Sequence, residues 1–343
     1  MHRAVLSTYS PPDQVGLYSL TMAQESGALK PKTGINAGRD PSYLAINSKT
    51  NHVYVVNEDS TGCVRAYNLN TKSGALELIN VISTPYPDPC YCSVLPEYNV
   101  VLVSHYVGAA VSVLPIGPSG RLLEPSCMIE HSGSSVNPDR QRQAHPHAIV
   151  PGPNHRYVYV PDLGTDQIVI YQFEQETRSL LHQTTVDVST GAGPRHLDFH
   201  PSGDYAYLIN ELHSTLTVFE WNERTGELFP IQTIETAPKT VENTAADIHV
   251  HPSGDFVYAS NRGHDSIAVY QCKDDGSLHA VENEPTRGRC PRNFAISPDG
   301  QYLYAENQLS NTVVVFNIDS GTGRLTSTGR KLTVPNPVCL KFV

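Results

Sequence analysis

A unit of strand, tight turn and second strand recurs along this chain every 46 to 57 residues, so the fold must offer each copy an equivalent neighbour. Copies open at Pro41, Pro89, Pro146, Pro194, Ala245 and Pro291, as in PRHLDFHPSGDYAYLINE from Pro194; a seventh, PVCLKFV from Pro337, holds one strand. That period belongs to propeller blades rather than helical solenoids. A second marker keeps the same beat: Leu29, Leu76, Leu122, Leu180, Leu228, Leu278 and Leu325, all but Leu180 in a Gly-x-Leu.

Each repeat supplies two seam strands, a third such as DSIAVYQC or NTVVVFNI, and a fourth near the Gly-x-Leu. The expectation is an all-β chain with little helix: one domain over residues 1–343, a seven-bladed β-propeller with four antiparallel strands per blade. RAVLSTY, VGLYSL and the strand around Leu29 supply the three strands the C-terminal copy lacks, a one-plus-three closure that leaves no open sheet edge.

Composition narrows the partners. A net charge of −10 opposes non-specific binding of nucleic acid or anionic membranes, which needs clustered Lys and Arg. MHRAVLSTYS lacks the pattern of a leader and no apolar stretch is long enough to cross a bilayer, so a soluble cytoplasmic protein is expected, of unspecified oligomeric state. Seven scattered cysteines read as reduced thiols, and Cys90 with Cys92 lacks a second pair at zinc spacing. His200 and His251 share a turn position and read as turn chemistry, and the H-x-H pairs His145/His147 and His249/His251 lack further ligands at metal spacing. No metal or cofactor is expected.

Function is sought where the repeats disagree. The second seam residue, at the start of the inner strand, is Ser42, Cys90, His147, Arg195, Ala246, Arg292 or Val338. The eighteenth, at the end of the next strand, is Glu58, Tyr106, Leu163, Glu211, Arg262 or Gln308, with Tyr9 as the counterpart in the closing blade. A hairpin sets these positions side by side, so fourteen side chains ring one mouth of the channel. His147, Arg195, Glu211, Arg262 and Arg292 concentrate charge on one side of it, and three arginines against one glutamate suit an anionic ligand. Links 123–145 and 229–244 reach the same rim and bring His145 and Arg142 within range.

At these residues the sequence resembles the seven-bladed β-propeller lactonase family of bacterial 6-phosphogluconolactonases and fungal carboxy-cis,cis-muconate cyclases. The resemblance rests on NPDRQRQAHPHAIV, VPDLGTDQI, GAGPRHLDFHPSGDYAYLINEL, AADIHVHPSGDFVYASNRGHDSIAVY and CPRNFAISPDGQYLYAENQ, and more loosely on LSTYS and SGALKP. It implies a catalytic group of His147, Arg195, Glu211 and Arg262. Arg292, His145, Gln308, Glu58, Tyr106 and Arg142 are the expected substrate contacts. The first half departs from the family pattern at PCYCSVLPEYN, where Cys90 and Tyr106 face the mouth.

Neither a G-x-S-x-G elbow nor a Cys-His nucleophile is present, so the implied chemistry is direct hydrolysis of a small anionic lactone. Glu211 or His147 would be the base, the other orienting or donating a proton, while Arg195 and Arg262 bind the oxyanion or a substrate anion. Closure of a carboxylated muconate would use the same residues. A non-catalytic binding propeller is the third reading, disfavoured because Trp221 is the only tryptophan available to an aromatic rim patch.

Overall fold

The computed structural model describes residues 2–343, which form seven four-stranded antiparallel sheets. The closing sheet runs Pro337–Phe342, His2–Thr8, Leu17–Met22, Leu29–Ile35, the expected one-plus-three arrangement. Among the described residues, helix is confined to two single 3₁₀ turns, Pro118–Gly120 and Gln308–Ser310, and no helix is long and apolar enough to cross a membrane. Blades are numbered 1 to 6 from the repeat opening at Pro41, and the closing blade is blade 7.

Alternation along each strand places apolar side chains against the neighbouring blade. Tyr207, Ile209 and Val218 of blade 4 thus pack with Ile248, Val257 and Tyr270 of blade 5 in one cluster. The two sequence markers meet in this packing. Tyr159, Tyr207, Tyr258 and Tyr304 each donate from their hydroxyl, at 2.8 to 3.3 Å, to the Gly-x-Leu glycine carbonyl of the next blade. Those glycines adopt positive φ, and a Cβ on Gly226 or Gly276 would come within 2.6 or 2.3 Å of the ring of Tyr157 or Tyr205. Blade 2 has Val100 and Leu102 in place of the aromatic pair, and there Arg178 (φ 50°) replaces the glycine of the next blade, with no ring to meet.

Two elements are irregular. In blade 2 Leu122 pairs with Ile116 in a single bridge and the regular fourth strand follows at Cys127–Glu130, while the Asn80 side chain of blade 1 holds the Leu122 backbone in both directions (2.9 and 3.0 Å). The inner strand of blade 3 shrinks to Val150–Pro151, its mouth end joined only by a Pro146–Asp162 bridge. The Asp162 carboxylate instead accepts from the backbone N–H groups of His145 (2.7 Å) and Gly164 (3.0 Å) and shapes a loop.

The seam has a repeated construction. In blades 1, 2, 4 and 6 register shifts at the second seam residue, so Ser42, Cys90, Arg195 and Arg292 each occupy a bulge between paired neighbours. A bulge re-aims one side chain without disturbing the rest of the strand. Behind it, the N–H of the eighteenth residue donates to the carbonyl just before the seam, as in Glu58 to Asp40 (2.9 Å), Tyr106 to Asp88 (2.9 Å) and Glu211 to Gly193 (2.7 Å). Tyr9 makes the same bond to Asn336 (3.0 Å), which confirms it as the seventh-blade counterpart. The two variable positions of each blade are thereby fixed beside each other at the channel mouth.

Candidate active site

Glu211 is the hub of that mouth. Its side chain is 4% exposed, with Oε2 lying 3.0 Å from Arg195 Nε and 2.9 Å from Arg262 Nη2. Oε1 accepts from Arg140 Nη2 at 2.7 Å. Burial alone would raise the proton affinity of this carboxylate, but attraction from Arg262, Arg195 and Arg140 overrides it and holds the pKa well below the usual range.

Arg195 is 2% exposed and braced by an Nη1 bond to the Ala246 carbonyl (2.5 Å). Burial, with Arg262 and Arg292 nearby, lowers its pKa to about 10, so it stays cationic at neutral pH. The Nε of Arg262 is buried without a hydrogen-bond acceptor, whereas the Nε of Arg195 lies against Glu211 Oε2.

His147, 5% exposed, lines the same cleft with Nδ1 buried and unpartnered. Burial, then the charge of Arg195, keeps its imidazole neutral well below the usual histidine pKa. Its ring meets Tyr106 and His196 edge-on, with centroids 5.2 and 5.3 Å away.

On the opposite wall Glu58 Oε2 accepts from Tyr9 Oη at 2.5 Å, while Arg292 lies 4.0 Å from Glu58 Oε1 and over the Tyr9 ring. The cleft measures about 300 Å³, and Glu58, Tyr106, Arg140, His147, Glu211, Arg262 and Arg292 all line it. With Arg195 in the layer beneath, four guanidinium groups face two carboxylates, leaving two uncompensated positive charges in a protein of net charge −10.

Of the ten residues expected from sequence, the four proposed as catalytic converge on this cleft, as do Arg292, Glu58 and Tyr106. His145 stacks on the Tyr106 ring (4.2 Å) and bonds by Nδ1 to the Tyr106 carbonyl (2.8 Å), so it buttresses the wall. Gln308 sits in a 3₁₀ turn, with Cys290 Sγ 3.8 Å from its Oε1. Arg142 is 78% exposed and turned toward Asp139 (3.8 Å) and the Pro138 carbonyl. The arginine this loop sends to Glu211 is Arg140. The Asn137 side chain accepts from the N–H groups of Asp139 and Arg140 (both 3.1 Å), and Gln141 is anchored to Leu163 O and Asp166 Oδ1 (2.9 and 2.8 Å).

One layer deeper, the third seam position holds His196 and Asp247, a pair outside the expected set. His196 Nδ1 donates to Asp247 Oδ1 (2.7 Å), and Arg195 Nη1 lies 3.2 Å from His196 Nε2. Asp247 is 1% exposed and also accepts from His249 Nε2 (3.0 Å) and Asn293 Nδ2 (2.5 Å). Burial and Arg195 push the His196 pKa down to about 3, and the neutral ring lies against Arg195, whose Nη1 is 3.4 Å from Nδ1 and 3.2 Å from Nε2. Asp247 thus orients the ring that packs against Arg195. No cluster of three or more His, Cys, Asp or Glu side chains with metal-binding geometry occurs among the described residues.

The family profile described as lactonase, 7-bladed beta-propeller, matches residues 3–342. The chain belongs to this lactonase family. Among its relatives, a 6-phosphogluconolactonase of Bacillus subtilis is 35% identical, over 98% of this chain and 97% of its own length. A solved structure of a candidate 6-phosphogluconolactonase from Bacteroides fragilis is 34% identical and superposes with a TM-score of 0.95, covering 100% of this chain and 98% of that one. A periplasmic gluconolactonase of Pseudomonas aeruginosa, 30% identical, gives 0.94 over 100% and 99%. The mouth described above lies wholly within the matched residues.

Proposed function

We propose that this protein hydrolyses a small anionic sugar lactone of the 6-phosphoglucono-δ-lactone type, at the mouth bounded by His147, Arg195, Glu211 and Arg262. The observation that carries the reading is the surplus of guanidinium charge around Glu211, together with a buried Arg262 Nε–H that has no acceptor. Attack on a lactone carbonyl puts negative charge on its oxygen, and fixed cationic donors in a cleft stabilise that charge most where water is scarce. Glu211 Oε1, on the cleft side, accepts the proton of the attacking water. Neutral His147 orients that water, and the proton taken up by Glu211 is passed to the departing ring oxygen. The C–O bond to water forms as the ring C–O bond breaks, and the product acid releases one proton per turnover at neutral pH.

The test is a substrate panel with the purified protein: 6-phosphoglucono-δ-lactone and glucono-δ-lactone followed by proton release, and carboxy-cis,cis-muconate by ultraviolet absorbance. Turnover of the phosphorylated lactone far above its spontaneous opening supports the reading. Turnover of the muconate alone replaces it with a cyclase.

A further inference from the structure

Arg140 differs from the other three arginines of the site. Arg195, Arg262 and Arg292 belong to blade seams, with side chains 3%, 13% and 22% exposed, whereas Arg140 comes from the link between blades 2 and 3 and is 39% exposed. Its guanidinium closes the cleft from the solvent side, donating through Nη2 to Glu211 Oε1 (2.7 Å) and Tyr106 Oη (3.1 Å). Both partners are lent rather than owned. Glu211 Oε2 is already held by Arg195 and Arg262, so Oε1 is the only oxygen of the hub whose cation can leave without uncovering a buried charge. The turn beneath Arg140 is meanwhile rigid, because Gln141 is fully buried, its Oε1 accepts from Asn137 N (3.0 Å), and its Nε2 is anchored to Leu163 and Asp166.

We propose that Arg140 is the specificity-determining clasp for the anionic end of the substrate. It exchanges Glu211 Oε1 for a phosphate or carboxylate carried at the outer end of the lactone. Three consequences follow from one movement. The incoming anion gains a forked guanidinium partner at the opening. Glu211 Oε1 becomes free to accept from water. The carboxylate also loses one of three neighbouring cations, which strengthens it as a base when substrate is present. A neutral lactone cannot draw Arg140 away and leaves Oε1 occupied. This inference rests on the lactonase reading and adds the group that tells charged from neutral lactones.

The experiment compares kcat/KM for 6-phosphoglucono-δ-lactone and glucono-δ-lactone in the wild type, Arg140→Met and Arg140→Lys, with thermal unfolding to verify the fold of each. The expected result is a preference for the phosphorylated lactone that collapses by about 10- to 100-fold in Arg140→Met, the worth of a charge-assisted contact. Arg140→Lys, which keeps the charge but not the fork, should recover part of it. An equal fall on both substrates, leaving the ratio unchanged, would overturn the clasp while leaving the lactonase reading intact. Absence of wild-type turnover on either lactone would instead refute that underlying reading, and the clasp with it.

Discussion

Replacing Glu211 by Gln removes one negative charge from beneath three guanidinium groups while keeping nearly the same volume. Arg195, 2% exposed and otherwise facing Arg262 and Arg292, is then left without its counter-charge. Breaking a buried pair by removing one partner costs roughly 3–5 kcal/mol. The Arg140 contact, 39% exposed on the arginine side, adds no more than about 1 kcal/mol after solvent screening. Glu211→Gln should therefore lower unfolding stability by roughly 3–5 kcal/mol near pH 7, read as a shift in urea midpoint. The pH dependence has a definite sign. Because the folded-state pKa of Glu211 lies well below its unfolded value, its contribution is complete above the unfolded carboxylate pKa of about 4.3 and fades as pH falls toward the depressed folded value. The gap between wild type and variant should hold from neutral pH to about pH 5.5 and narrow below it. A loss under about 1 kcal/mol at neutral pH, or a gap that does not narrow in acid, would refute the claim that these guanidinium groups hold an ionised Glu211.

Arg195→Ala and Arg262→Ala should each lower kcat/KM on the order of 10²-fold or more, as loss of an oxyanion donor does, and retained activity in both would remove them from the chemistry. Asp247→Asn removes the carboxylate that orients the His196 ring against Arg195; a drop of at least about tenfold in kcat/KM with a changed His196 ¹⁵N signature is expected. With glucono-δ-lactone, which has no titrating group of its own, kcat/KM should stay level as pH falls through about 6.5, because His147 remains neutral and Glu211 ionised there. An acid limb centred in the ordinary histidine range would contradict this. His200→Ala removes the ring that bridges Ser202 Oγ (2.8 Å) and the Gly254 carbonyl (3.0 Å), and should cost about 1 kcal/mol of stability without changing kinetics.

The repeat made the ring legible because each copy fixes its neighbours, and registering seven copies reduced the search to fourteen positions. His147, Arg195 and Arg292 emerged there because charge or imidazole replaced Ser, Cys, Ala or Val at equivalent places, and Glu211 and Arg262 because they stand beside them at the eighteenth position. The bulge that turns the second seam residue inward leaves no mark in composition. Arg140 lay outside the register. It and Arg142 flank Gln141 in a link with no counterpart in other blades, and only the turn folded on Asn137 decides which of them points inward. His196 and Asp247 were within reach, since the third seam position varies just as the second does: Tyr43, Tyr91, Ala148, His196, Asp247, Asn293, Cys339.

The most direct test of the account is the rate of ring-opening of 6-phosphoglucono-δ-lactone by metal-stripped protein, corrected for spontaneous hydrolysis, beside a Glu211→Gln, Arg262→Ala double variant. The account predicts rapid turnover in the wild type and only the spontaneous rate in the variant. Equal rates in the two proteins, or no turnover in the wild type, would contradict it.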